Sequence, residues 1–137
     1  MIVDADAHVV ETEITCLSLM MSELPKQFPQ LRWAFVEASA QWVPWVVKEA
    51  MRRSGTKGFP NLPFKEFKIY VTTETNDDFD FILRYAGEDN LVIGTDYGHT
   101  DASSEVDALD IFRANDSVPD PIKKKILDDN PRALYGL

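Results

Sequence analysis

The 137-residue sequence predicts a single α/β domain with a parallel sheet, and three observations lead to this fold class. Four short apolar runs are nearly continuous rather than alternating, which is typical of strands buried on both faces. Segments with helical apolar spacing lie between and after these runs. No repeat or change in composition marks an internal boundary, so one domain is expected over residues 1–137. The alternation of strand and helix indicates right-handed crossovers.

The four predicted strands can be read directly from the apolar runs. They are "MIVDADAHV" (1–9), "LRWAFVEAS" (31–39), "FKIYVTTET" (67–75) and "NLVIGTDYG" (90–98). The longest loop is predicted at residues 54–67, where glycine and proline are frequent. The order of elements is therefore β-α-β-α-β-α-β-α-α.

Each helical segment has an apolar face that should pack on the sheet. The predicted faces are Ile14, Leu17, Met21 and Leu24; then Trp42, Val43, Val46, Val47, Ala50 and Met51; then Phe79, Ile82, Leu83 and Ala86; then Val106, Leu109 and Phe112. Pro44 must lie in the first turn of its helix, where its missing N–H costs nothing. Gly87 should follow the end of the third helix. A short helix should begin with Asp120 as N-cap and Pro121 as first residue.

Charge and composition exclude several classes of partner. The chain has 23 Asp and Glu against 14 Lys and Arg, a formal net charge of −9. Nucleic acids and anionic membrane surfaces both select basic proteins, so neither is an expected partner. No apolar run is long enough to span a bilayer. The single cysteine, Cys16, lies among apolar residues, which predicts a buried structural thiol and favours a reducing, cytoplasmic location.

Polar side chains follow the apolar centre of each predicted strand. Asp6 and His8 end the first strand, Glu37 the second, Glu74 the third, and Asp96 the fourth, with His99 just beyond. Ligands of parallel α/β folds bind at these carboxyl ends of the strands. Carboxylates and imidazoles are metal ligands, so the sequence indicates a divalent metal that would acidify water or polarise a carbonyl.

A structural interpretation of several of these residues competes with the functional one. Acidic residues at strand ends often cap the next helix. We therefore expect helix N-terminal roles for Glu74, Asp77 and Asp78, and a structural role for Asp4. The three tryptophans, Trp33, Trp42 and Trp45, are expected in the core rather than in a binding surface.

Several segments together resemble the amidohydrolase-related family of metal-dependent hydrolases and decarboxylases, which are TIM barrels. The first is "IVDADAHVVE", which is similar to the motif on the family's first strand. The others are "FPQLRWAFVEASAQWVPW", "GEDNLVIGTDYGHTD" and the tail "DNPRALYGL". The resemblance covers most of the chain, as the equivalents of family strands 1, 6, 7 and 8.

The resemblance implies roles for five residues. Asp6 and His8 would be metal ligands, and Asp96 a ligand or proton acceptor. His99 and Glu37 would carry protons. The metal implied is zinc, with manganese as the alternative, and the substrate is a small carboxylate or carbonyl compound. The competing hypothesis is a catalytically inactive binding or assembly module that keeps the fold and has no metal.

The chain has half the strands of a barrel, which normally needs eight strands and about 250 residues. The family's strand-5 histidine has no equivalent. By barrel order we expect the sheet to run second-third-fourth-first, leaving the first and second strands at open edges. A homodimer could then close an eight-stranded barrel, with the partner's first strand beside the second. The alternative is a monomeric open four-stranded sheet with helices on both faces.

Overall fold

A computed structural model describes residues 2–6, 9–54, 63–98 and 104–137, with side chains from Glu11 onward. The α/β fold class is confirmed, and the described residues form a partial barrel of four parallel strands with helices. The strands are β1 (Ile2–Asp6), β2 (Arg32–Val36), β3 (Ile69–Thr73) and β4 (Leu91–Ile93). The helices are α1 (Val9–Met21), α2 (Leu24–Gln27), α3 (Val43–Ser54), α4 (Pro63–Glu66), α5 (Phe79–Ala86), α6 (Ala108–Arg113), α7 (Asp120–Lys124) and α8 (Asn130–Tyr135), with a π-helical turn at Lys125–Asp129.

The strand order is β1-β2-β3-β4, so the expected order with the first strand beside the fourth is wrong. All three pairs are parallel, and Ile2 lies opposite Arg32 while Asp6 lies opposite Val36. The physical reason is the connection between the first two strands. It forms α1, which packs against α3, and a right-handed crossover of this kind places consecutive strands side by side. The edge strands are therefore β1 and β4.

The sheet is buried on both faces, as the continuous apolar runs predicted. One face packs against the helices through a large cluster that includes Phe35, Val71 and Leu91. The opposite face, which lines the interior of a complete barrel, carries Ala34, Tyr70 and Val92. Leu134 of α8 packs against these three side chains. The tail therefore covers the lower part of the interior face and leaves its carboxyl end open.

Helices α3 and α5 have the predicted faces. Their buried residues are Val43, Pro44, Val46, Val47 and Ala50 in α3, and Phe79, Ile82 and Ala86 in α5. Pro44 lies in the first turn and Gly87 caps α5, as predicted. Trp42 is in the core and Trp33 packs against it, but Trp45 is 50% exposed, so its predicted core role is wrong. Trp45 lies on the outer side of α3, next to Pro44 and facing solvent.

The predicted face of α1 is confirmed at Leu17, which is buried, and wrong at its other three positions. Ile14, Met21 and Leu24 are exposed, while Thr12, Cys16, Leu19 and Met20 are buried. The helix begins at Val9 and ends at Met21, and Leu24 is the first residue of the separate helix α2. The prediction of a buried thiol at Cys16 is confirmed, and burial raises the pKa of this thiol.

The last helices differ from prediction in their lengths and caps. In α6 only Ala108 and Phe112 are buried. The predicted face is wrong at Leu109, which is exposed, and at Val106, which is exposed and lies before the helix begins. Phe112 packs on Phe79 of α5, with ring centroids 5.0 Å apart. The N-cap of α7 is Pro119, one residue before the predicted Asp120.

Candidate functional site

A cavity of about 200 Å³ lies at the carboxyl ends of β2, β3 and β4. The residues that line it come from the last turn of each strand and the loop that follows. They are Val36, Glu37, Ser39, Thr72, Thr73, Glu74, Gly94 and Asp96. The described lining residues include three carboxylates and no lysine or arginine. The cavity therefore attracts cations and repels anions.

Glu37 and Asp96, both predicted site residues, line this cavity with left-handed backbone angles. Their φ values are 61° and 50°, and Ser39, also in the lining, has φ 52°. Such angles disfavour residues with a Cβ atom and are concentrated at functional sites, where the surrounding structure maintains the strain. The turn at Glu37 is held by its backbone N–H, which donates to Thr72 Oγ1 at 3.1 Å. Strain at three lining residues favours a functional interpretation of this cavity.

Two threonines at the end of β3 join the strands that carry these carboxylates. The Thr72 hydroxyl donates to the Phe35 carbonyl of β2 at 3.4 Å and accepts from Glu37. The Thr73 hydroxyl, which is buried, donates to the Val92 carbonyl of β4 at 3.0 Å. Because these bonds reach both neighbouring strands, they fix the spacing of the strand ends beneath the cavity.

Asp77 holds together the two loops above the sheet. Its buried carboxylate accepts from the backbone N–H groups of Ala40 and Glu74, each at 3.0 Å, and from the Ser39 hydroxyl. The expected role at the start of α5 is therefore wrong for Asp77. Asp78 has that role, because its side chain accepts from the Phe81 N–H at 3.0 Å as the N-cap. The predicted helix N-terminal role is confirmed for Asp78, which is the N-cap of α5.

Glu74 also differs from its predicted role, because it faces the cavity rather than a helix end. Burial raises the pKa of the Glu74 carboxyl, and the negative charges of Asp77 and Asp96 raise it further. A hydrogen bond with the Ser39 backbone acts in the opposite direction. A carboxyl with a raised pKa keeps its proton to higher pH and can serve as a proton donor.

The remaining predicted residues are distributed differently. Asp6 ends β1, where its backbone lies opposite Val36, while its side chain is outside the described part of the structure. His8 and His99 lie outside the described residues altogether. Among the side chains that the structure describes, no group of three or more His, Cys, Asp or Glu could hold a metal ion. Of the five predicted residues, the structure brings together Glu37 and Asp96.

The sequence places Glu74 at the end of the third strand, but its assignment to a helix N-terminus left it out of the predicted site. Glu74 directly follows the polar Thr72–Thr73 pair at the end of β3, at a position similar to that of Glu37 after β2. The strand ends two residues earlier than predicted, so Glu74 begins the loop. A carboxylate one residue after a parallel strand lies at the binding edge of the sheet.

The sequence matches the amidohydrolase family over residues 3–137. The chain belongs to this family. No curated protein matches the chain significantly.

Solved structures show that this amidohydrolase chain has the fold of part of a TIM barrel. An amidohydrolase from Mycobacterium avium subsp. paratuberculosis K-10 matches with TM-score 0.71 and 19% identity, over 91% of this chain and 33% of its own. A dihydroxybenzoic acid decarboxylase from Polaromonas sp. JS666, with bound manganese and 2-nitroresorcinol, matches with TM-score 0.66 and 23% identity. The match covers 93% of this chain and 40% of the decarboxylase. A 2,6-dihydroxybenzoate decarboxylase in complex with 2,6-dihydroxybenzoate matches with TM-score 0.67 and 22% identity. This match covers 93% of this chain and 41% of the decarboxylase.

The amidohydrolase chain thus spans one third to two fifths of the length of these structures. The described helices include none that is long and apolar enough to cross a membrane.

Proposed function

We propose that this amidohydrolase chain binds a divalent metal at the carboxyl ends of its strands and hydrolyses or decarboxylates a small carboxylate or carbonyl compound. The observation that carries the proposal is the convergence of Glu37, Glu74 and Asp96 on one cavity, two of them with strained backbone. Strain that the fold maintains at carboxylates around an open cavity has no evident structural benefit.

The donor set is chemically suited to manganese or zinc. Asp96 offers carboxylate oxygens from the loop after β4, Asp6 ends β1, and His8 is two positions further along the sequence. Carboxylate oxygens suit manganese, and imidazole suits zinc. We assign Asp6, His8 and Asp96 as the ligands, because the described side chains alone provide no complete set. A bound metal would lower the pKa of water or polarise a carbonyl.

The chain's own residues would then move protons around that centre. Glu74 is suited to hold a proton at its carboxyl, because burial and neighbouring negative charges raise its pKa. Glu37 lines the same cavity, and together with His99 it is our assigned proton carrier. Asp77 has no chemical role in this scheme, since its oxygens accept from Ser39, Ala40 and Glu74.

The substrate class follows from the charge of the cavity and from the similar structures. A carboxylate would be repelled by three lining acids unless a cation lay between them. Two of the similar structures are decarboxylases of dihydroxybenzoates, one of them with manganese. We therefore propose hydroxylated benzoates as the first substrates to test, in the presence of Mn²⁺.

The direct test is metal binding by protein purified without chelator. We expect wild-type protein to bind Mn²⁺ or Zn²⁺ in equilibrium dialysis with elemental analysis, and Asp96→Asn to bind at least about tenfold more weakly. Asp116→Asn, the same change at an exposed position outside the cavity, should bind like wild type. A folded wild-type protein that takes up neither metal would contradict the proposed function.

A second candidate function is a binding or assembly module without turnover, which the short span relative to the similar structures favours. The two functions differ in product formation. Metal-loaded wild-type protein that releases CO₂ from 2,6-dihydroxybenzoate, with the activity lost in Asp96→Asn, supports the enzyme. Metal binding without turnover of any hydroxylated benzoate supports the module.

A further inference from the structure

One edge of the sheet has an incomplete set of hydrogen bonds. At the two ends of β4, Asn90 O accepts from Val71 N–H at 3.0 Å and Gly94 N–H donates to Thr73 O at 3.5 Å. Alternate residues of a strand bond to opposite neighbours, so Leu91 and Ile93 direct their backbone groups away from β3. The Leu91 carbonyl accepts from the Asn130 side chain at 2.7 Å. Among the described strands, none lies beyond β4 to pair with Ile93.

The other edge of the sheet, formed by β1, can also accept a further parallel strand. β1 pairs with β2 on one side, and no described strand lies on its other side. Both edges are parallel and belong to one chain, so a two-fold axis can satisfy both at once, with β4 of each copy beside β1 of the other. The closed ring then has the eight strands of a barrel, with β1 to β4 of one copy followed by β1 to β4 of the other.

We propose that the protein assembles as a two-fold homodimer whose half-barrels close by β4–β1 pairing, and that the partner supplies part of the metal site. This revises the pairing expected from the sequence. The place beside β2 that was assigned to the partner's first strand is taken by the chain's own β1. The partner's β1 instead lies beside β4, as the first strand of a closed barrel lies beside the last.

The consequence for the site follows from strand spacing. Within one chain, β1 and β4 are separated by three strand spacings, or about 14 Å along the sheet. In the dimer, the partner subunit's Asp6 ends a strand about 5 Å from β4, which leads to Asp96. Side chains at the ends of adjacent strands can share one ion. The inference therefore rests on the proposed metal site, which needs donors that the described side chains of one chain do not provide.

The outer helices support the same assembly. α1 follows β1 and α6 follows β4, so the two helices become neighbours across the new interface, as α1 and α3 are within the chain. Both expose large apolar side chains. Ile14 on α1 is 58% exposed and Ile111 on α6 is 42% exposed. Burial of such groups between neighbouring helices stabilises the closed ring.

Sedimentation velocity at micromolar concentration tests the assembly. We expect a dimer for wild type, and a shift to monomer for Ile111→Glu, which changes an exposed side chain and should leave the fold intact by circular dichroism. Trp45→Glu, an equally exposed apolar residue on the central helix α3, should remain dimeric. A wild-type monomer, or a dimer that Ile111→Glu leaves intact and Trp45→Glu disrupts, would overturn the inference.

Mixing two metal-site variants tests the shared site. Asp6→Asn and Asp96→Asn are each expected to lose Mn²⁺ binding, whereas a refolded equal mixture should recover about one quarter of the wild-type stoichiometry. Half of the dimers are hybrids, and each hybrid has one intact site of two. No recovery in a dimeric mixture would overturn the shared site. If wild type is dimeric yet binds no Mn²⁺, the proposed function fails while the assembly stands.

Discussion

At the scale of single residues, backbone strain marks the site more clearly than side-chain identity does. Glu37, Ser39 and Asp96 have left-handed φ angles and all line the same cavity. Among the described residues other than glycine, one more has such an angle. It is Lys68, which lies just before β3 at the opposite end of the sheet. Glycine adopts these angles without a steric cost, whereas aspartate and glutamate have a Cβ atom and adopt them at a steric cost. The strain therefore has a testable energetic signature.

Substituting Glu37 by glycine and by alanine should separate backbone strain from side-chain loss. Both variants remove the carboxylate, but only alanine keeps the Cβ that the φ of 61° disfavours. We expect Glu37→Gly to be more stable than Glu37→Ala by about 1 kcal/mol in urea unfolding. At Lys48, inside α3, the order should reverse by a similar amount because glycine weakens helices. Equal stability of the two Glu37 variants would show that no strain is stored there.

Glu74 should make the free energy of unfolding depend on pH. Its pKa is raised on folding, so the folded state binds more protons than the unfolded state at pH values between the two pKa values. Stability therefore falls as pH rises from about 4.3, the usual value for an unfolded glutamate, through the raised folded pKa. In Glu74→Gln this fall should be reduced, which urea unfolding at a series of pH values measures. Glu66→Gln, at an exposed position of α4, should keep the wild-type profile.

The site residues differ in how far the sequence could predict them. Glu37 and Asp96 were predictable because a polar residue after an apolar run marks a strand end in any parallel sheet. Asp77 and Glu74 were assigned to a helix start, because local sequence cannot distinguish a cap from a residue that joins two loops. The bond from Ser39 to Asp77 spans 38 positions, and such contacts depend on the tertiary fold.

At the scale of elements, the tail segment is fixed to the sheet by one amide. The buried Asn130 side chain donates to the Glu88 carbonyl at 2.8 Å and to the Leu91 carbonyl at 2.7 Å. One acceptor is the first residue of β4 and the other is in the turn before it, so Asn130 places α8 where Leu134 can cover the interior face. The "DNPRALYGL" segment thus closes the lower end of the partial barrel.

Removing the Asn130 donor should loosen the whole tail. Asn130→Asp keeps the shape but cannot donate, so two carbonyls lose their partner, and we expect a loss of about 2 kcal/mol in urea unfolding. Asn130→Ala should be destabilising to a similar degree. Asn76→Asp, at an exposed position in the loop before α5, should change stability by less than about 0.5 kcal/mol. If Asn130→Asp unfolded at the same urea concentration as wild type, the role of Asn130 in fixing the tail to the sheet would be contradicted.

Element boundaries explain which helical faces could be predicted. The faces of α3 and α5 were confirmed because proline and glycine mark their limits, at Pro44 and Gly87. In α1 the prediction was right for Leu17 and wrong for Ile14 and Met21, because these two form an apolar row on the exposed side of the helix. Apolar spacing indicates a helix but does not show which of two apolar rows faces the core.

At the scale of the whole molecule, the sequence predicted the number of strands and their direction but not the position of β1. Barrel order by itself places the first strand beside the last. The connection through α1 instead places β1 beside β2, and this local constraint decides the order within one chain. The two requirements are compatible when two copies form the ring, because each β1 then lies between its own β2 and the partner's β4.

The net charge of −9 gives the last prediction, which concerns the molecule as a whole. Repulsion among the acids destabilises the folded state, and the cavity concentrates three of them. Exposed ion pairs such as Glu23 with Lys26 contribute little to stability, so their screening by salt should cost little. Raising NaCl from about 0.01 M to about 0.1 M shortens the screening length from about 30 Å to about 10 Å. We expect this to raise the thermal midpoint by roughly 4 °C in differential scanning calorimetry.

The charge of the cavity should account for part of this salt effect. Asp96→Asn removes one of the converging charges, so the gain from NaCl should be smaller in this variant than in Asp116→Asn, which removes an exposed charge elsewhere. Both variants have the same net charge, so a difference between them measures the local repulsion in the cavity alone. A thermal midpoint that falls with NaCl in wild type would show that surface ion pairs outweigh the repulsion. Equal gains in the two variants would show that the repulsion is spread over the surface rather than concentrated at the strand ends.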